Sequence, residues 1–154
     1  FILYPYLLKE YRNRWFLFGS RVGDMKIFNL ALDRIVDYHV CPDIPYRENP
    51  GFGEDFFDDV VGVTKHSRLK REKIVLWAEN SQAGYILTKP LHASQKLLEK
   101  NKADGSMTFE LEVVINNELI ALLLTFGAGV KILSPQHVAD RLREIFRKGV
   151  SNYQ

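Results

Sequence analysis

Arg14-Trp15-Phe16-Leu17-Phe18 sets a cation and aromatic rings at alternate positions of a β-type run. At a period of two, Trp15 and Leu17 share one face, expected to be the core, while Arg14, Phe16 and Phe18 share the other. An exposed ring beside a guanidinium suits a nucleobase and its phosphate, by stacking and charge. A second basic feature, Lys65-His66-Ser67-Arg68-Leu69-Lys70-Arg71-Glu72-Lys73, could track a phosphate backbone or be a solvated loop before a strand. His39 and Cys41 lie two apart in a run read as strand, which would aim a thiol and a base to the same side. No orienting group or oxyanion site accompanies them, so no catalytic residue is expected. His66, His92 and His137 lack the close pairing of a metal site, and a single cysteine rules out a multi-cysteine zinc site or internal disulfide. Gly51-Phe52-Gly53 and Gly127-Ala128-Gly129 lack the further Gly or Lys-Ser/Thr of a phosphate loop and read as turns. No metal and no cofactor are therefore expected.

The elements that must position these residues follow from pattern. With 154 residues and 46% hydrophobic content, the chain can bury one moderate core or two small ones. The longest apolar run, Leu119 to Leu124, is far short of the roughly 20 residues that span a bilayer. No leader pattern is evident, and the reading is a cytoplasmic protein with no membrane partner. Charge is uneven: residues 1–34 hold six Lys/Arg against three Asp/Glu, residues 35–60 one against seven, and residues 61–154 fourteen against nine. An acidic stretch thus separates two basic ones. Because residue 1 is Phe, the chain is expected to be a piece of something longer.

Residues 3–11, 14–18 and 25–40 read as strands, with Asn13 a left-handed turn residue and two glycines in the 19–24 loop. From Cys41 to Asp59 the Pro, Gly and acidic content is loop chemistry, and a domain boundary is placed there. Beyond it, strand 74–78, helix 82–88, strand 91–99, strand 107–115, a helix capped by Asn116 or Asn117 and ended by Gly127, and strand 130–133 are expected. Ser134 is expected to cap a last helix with Pro135 in its first turn and an apolar stripe of Val138, Leu142, Ile145 and Phe146, a core face or a dimer seam.

Arg14-Trp15-Phe16-Leu17 and Leu32-Asp33-Arg34-Ile35 together resemble the signature strands of a WYL domain. Pro90-Leu91-His92-Ala93-Ser94-Gln95, the run Phe126 to Pro135, and Ala139-Asp140-Arg141-Leu142 resemble its C-terminal extension, WCX. The resemblance implies an α+β chain: a partial SH3/Sm-like β-barrel over residues 1–41, a linker over 42–63, and a ferredoxin-like α/β sandwich over 64–154. It further implies the effector-sensing and dimerising part of a bacterial transcription regulator whose missing barrel strand and winged helix-turn-helix lie upstream. Such a regulator pairs with itself, touches duplex DNA through the absent domain, and takes an oligonucleotide or nucleotide effector. Trp15, Phe16 and Leu17 stand on the naming tripeptide, with Phe16 in place of the usual Tyr, so a hydroxyl is lost while stacking survives. Arg34 is the leading ligand residue, its planar guanidinium fitted to a phosphate or a base. The bland alternative pairs Arg34 with Asp33 or Asp37. Phe28 stands where relatives carry a basic residue, and Lys26, on the same face, is a substitute. Lys9, Arg12, Arg14 and Arg21 can rebuild a basic patch, and His92 and Gln95 can either complete the cleft or satisfy a strand start. A ligand-free oligomerisation module, a sensor of a non-nucleotide small molecule, and a small hydrolase using His39 or Cys41 are the competing readings.

Overall fold

The structure is a computed structural model that describes residues 1–65 and 70–153. The chain is α+β, with a three-stranded and a four-stranded antiparallel sheet in two compact units that divide between Asp58 and Asp59.

In the first unit, β1 (Leu3–Tyr11), β2 (Arg14–Arg21) and β3 (Ile27–Ala31) pair in chain order. Arg12 and Asn13 take φ of 51° and 61°, the doubly left-handed turn that matches the twist of a tight hairpin. Three expectations fail here, the first being the loop over 19–24, since β2 runs on through Gly19 and Ser20 to Arg21. The third strand does not run from 25 to 40: its ladder on β2 ends at Phe16↔Ala31, and Leu32–Arg34 form a 3₁₀ turn closed by Ile35 N–H to Leu32 O at 3.1 Å. Residues 35–41 have β-type side chains but no ladder partner for their backbone groups, and they form no strand. The core face is also reversed. Phe18 is 2% exposed and Trp15 52%. The reason lies outside the strand: Phe52, Phe56 and Phe57 cover Phe18, with centroids 6.1, 6.4 and 4.9 Å away. Tyr6 lies against Phe52 and shares a 2.6 Å hydrogen bond with buried Ser20 on the same covered side. The segment expected as a linker therefore packs in two pieces. Residues up to Asp58 belong to the first unit, where Asn49 Nδ2 donates to Met25 O at 2.7 Å, and Val60, Val61 and Val63 are buried in the second.

The second unit runs β4 (Arg71–Ala78), α1 (Asn80–Thr88), β5 (Lys96–Lys100), β6 (Met107–Val114), α2 (Asn117–Leu124), β7 (Val130–Ser134) and α3 (Gln136–Ser151). The element order is the expected one, and the sheet order is β5-β6-β4-β7, with every pair antiparallel. β6 alternates through Val113: Phe109, Leu111 and Val113 are fully buried, and they join Ile74, Leu76 and Ala78 of β4 beneath Ala83, Ile86, Leu119, Leu123, Val138 and Leu142 of the helices. Asn116 caps α2, its Oδ1 accepting from Leu119 N–H at 2.8 Å.

Several boundaries differ from pattern. α1 begins two residues early, at Asn80. The strand expected over 91–99 is a turn followed by a short strand. Gln95 accepts from Leu91 N–H and donates to Ile86 O, both at 2.9 Å, so its side chain takes the groups that a ladder would have used. Ser134 pairs with Val75 at the end of β7 and does not cap α3, whose N-cap is Pro135. Similarly, α2 ends at Leu124, ahead of Gly127, which with φ 55° opens a 3₁₀ turn instead.

Candidate functional site

Arg14 and Phe16 project from the same face of β2 as Phe18, and burial falls along that row from Phe18 through Phe16 to Arg14. Where it opens, Arg14, Phe16, Asn29, Ala31, Arg34 and Ile35 surround a cleft of about 220 Å3. Asn29 and Ala31 stand opposite Phe18 and Phe16 in the ladder, which gives the cleft a floor of known register. The 3₁₀ turn supplies its far wall. Within that turn, neighbouring residues take opposite roles: Asp33 Oδ2 holds Arg14 Nη2 at 3.0 Å, and Arg34 is solvent-exposed, with no carboxylate at ion-pair distance among the described residues. The pairing of Arg34 with Asp33 or Asp37 is therefore absent, since Asp33 goes to Arg14 and Asp37 to His39 Nε2 at 3.4 Å.

Of the residues singled out in sequence, Arg14, Phe16 and Arg34 come together. Lys9, opposite Phe16, lies nearby but has its ammonium 4.4 Å from the centroid of Phe57. Arg12 sits in the hairpin turn, 5.6 Å from the ring centroid of its neighbour Tyr11. Arg21 is at the other end of β2, where its guanidinium is 4.7 Å from the ring centroid of Phe1 and 5.9 Å from that of Phe28. Lys26 is in the loop before β3, its N–H donating to Asp24 Oδ1 at 2.9 Å. Seven residues of strand, about 23 Å, separate Arg21 from Arg14, so these cations do not form one patch. His92 and Gln95 belong to the second unit. His92 Nδ1 is 2.8 Å from Ser94 Oγ, which donates to Glu112 O at 3.1 Å, and Gln95 closes the turn described above. Residues 91–95 are not strand, so neither side chain stands at a strand start.

The thiol and base pair also lapses: His39 and Cys41 are exposed, outside any strand, and His39 is engaged by Asp37. Of the basic run 65–73, residues 66–69 lie outside the described residues, and Lys65 and Arg71 bind Asp59, at 2.9 and 3.3 Å. Among the described residues no group of three or more His, Cys, Asp or Glu side chains is arranged to hold a metal, and no helix is long and apolar enough to cross a membrane.

Sequence reasoning missed Asn29, Ala31 and Ile35 as lining residues and Asp33 as the partner of Arg14. Asn29 and Ala31 were findable from the period-two register of β3 against β2, whereas the Asp33 contact depends on a turn where a strand was expected. A second, wider cleft of about 550 Å3 in the second unit is lined by Trp77, Glu79, Asn80, Ser81, Asp104 and Ser106. There the Ser106 hydroxyl and N–H both donate to Asp104, holding its carboxyl below the usual range.

The family model described as WCX domain matches residues 70–150, more than half of the chain. No curated protein matches. A solved structure, proteasome accessory factor B/C (PafBC) of Arthrobacter aurescens, is similar over 90% of this chain and 20% of its own length, with 16% identity and a TM-score of 0.39. This chain thus corresponds to about a fifth of that protein.

Proposed function

The chain belongs to the WCX domain family, and on that premise we propose that it is the effector-sensing and dimerising region of a bacterial WYL-type transcription regulator. In this reading the three-stranded unit is the partial Sm-like barrel of a WYL domain, and the second unit is a ferredoxin-like sandwich. The order β5-β6-β4-β7 supports the second assignment, since it is what strand-helix-strand-strand-helix-strand yields when both crossovers lie on one side of the sheet.

One observation carries the proposal: Arg14, Phe16 and Arg34 converge on one cleft. A ring for stacking and a guanidinium without a carboxylate partner among the described residues are the two contacts that a nucleotide or single-stranded oligonucleotide requires. The region has no catalytic role in this reading. Effector binding biases the placement of an upstream winged helix-turn-helix and so its affinity for duplex DNA, a coupling of two binding equilibria.

Fluorescence anisotropy of short labelled single-stranded DNA and RNA tests it. Saturable binding that weakens with salt and falls roughly tenfold or more in Arg34→Ala is expected, charge-assisted hydrogen bonds of this kind being worth about 1.5–3 kcal/mol. Binding indifferent to Arg34 would remove the cleft from consideration. A second reading, an oligomerisation module without a ligand, is favoured by α3, whose Ile145, Phe146 and Val150 are exposed beyond buried Val138 and Leu142. Constant dimer mass with no oligonucleotide binding at any salt would select it, and binding of a small non-nucleotide molecule would select the other sensor reading.

A further inference from the structure

We infer that Asp33 is a built-in competitor for the anionic ligand: its carboxylate occupies Arg14, and an entering phosphate must displace it before both guanidiniums of the cleft can engage. The inference rests on the reading of this cleft as the effector site. Its basis is the division of labour within one 3₁₀ turn. Asp33 reaches across to Arg14 Nη2 at 3.0 Å, whereas Arg34, the next residue, lines the same cleft without an acidic partner among the described residues. The arriving ligand thus meets one open cation and one closed one.

The Arg14 and Asp33 side chains are 47% and 52% exposed. An ion pair so open to water is held weakly, and a phosphate can exchange for it at little cost. A carboxylate and a phosphate oxygen ask the same thing of a guanidinium, in-plane acceptance of N–H donors, so Arg14 cannot serve both fully. Asp33 thereby sets a threshold: a ligand with a single weak anionic group uses Arg34 alone, and one with a dianionic or second phosphate gains enough to open Arg14. The selected class is therefore a phosphorylated nucleotide or an oligonucleotide, in preference to a nucleoside or a carboxylate metabolite.

The test is anisotropy of a 5′-fluorescein thymidine octamer titrated with the intact chain at low and physiological salt, using wild type, Asp33→Asn, Arg14→Ala and the double variant. Asn preserves shape and removes charge at an exposed position. Asp33→Asn should bind about two- to fivefold tighter, the range set by an exposed ion pair, with the log–log salt slope unchanged because Arg14 meets a phosphate in both proteins. In the Arg14→Ala background the gain should disappear. Wild-type binding left unchanged or weakened by Asp33→Asn would overturn the inference while sparing the site, making Asp33 a brace that positions Arg14. An equal gain with and without Arg14 would overturn it too, leaving only a general charge effect. Absence of binding by all four proteins at low salt would instead bring down the reading of the site itself.

Discussion

Phe16 is the residue at which stacking and burial compete. It stands between Phe18, sealed under three phenylalanines, and Arg14, half in solvent, and is itself partly buried while lining the cleft. If the ring serves as a stacking platform, aromatic character matters there and a hydroxyl does not. Phe16→Tyr is expected to keep oligonucleotide affinity within about twofold, while Phe16→Leu, similar in volume but without a π-face, should lose about 1–3 kcal/mol of binding with thermal stability little changed. Anisotropy alongside thermal melting checks both, and equal loss in Tyr and Leu would refute stacking. At this scale the sequence was informative about residue type and silent about partners. Arg34 was marked, but the carboxylate next to it in sequence turned out to serve Arg14, because side chains of adjacent turn residues diverge.

At the scale of elements, short polar side chains determine where strands and helices stop. Asn116 is the clearest case. Its Oδ1 caps α2 at Leu119 N–H, and its Nδ2 donates to Val61 O and Thr64 O at 2.8 and 2.9 Å, binding the entry segment of the second unit to the start of a helix. Asn116→Ala removes a cap and leaves buried carbonyls short of a donor, so a loss of about 2–4 kcal/mol is expected in denaturant unfolding. Asn116→Asp should retain the cap and lose the two donations, and thus fall between. The cap was legible because Asn before an apolar run is a local signal. The Gln95 turn was not: Leu91 to Glu99 carries enough apolar residues to read as strand, and only the arrival of Ile86 O and Glu112 at hydrogen-bond distance shows why the chain turns.

Across the whole molecule, charge ties the entry segment down. Asp59, at the start of the second unit, has a buried carboxylate that accepts from Lys65 and Arg71, while its carbonyl accepts from Val114 N–H at 2.7 Å. Burial pushes its carboxyl up, but hydrogen bonds and charge from Lys65 and Arg71 outweigh this and hold it below the usual carboxylate value. A depressed folded-state value means that the stabilisation is complete above the unfolded value, near 4, and is lost as pH falls through the folded one. Acid unfolding of wild type should therefore show a stability decrease below about pH 4 that is smaller in Asp59→Asn, with the variant less stable at pH 7 by about 1.5–3 kcal/mol. Urea midpoints between pH 2 and 7 measure it, and parallel curves would remove Asp59 from the account. What the sequence alone determined is what local physics writes: the two-fold alternation of β6, the amphipathic last helix, the Asn116 cap, and the order of elements in the second unit. Tertiary structure decided the rest. Which face of β2 is buried depended on phenylalanines 34 to 39 residues away from Phe18, β3 stopped where the chain entered the 3₁₀ turn at Leu32, short of Trp15 and Arg14 of β2, and Asp33 found Arg14 only because the chain turned there. A strand pattern states that two faces differ, but it takes a covering layer and a ladder partner, both distant in sequence, to settle which face is inside and how far the strand runs.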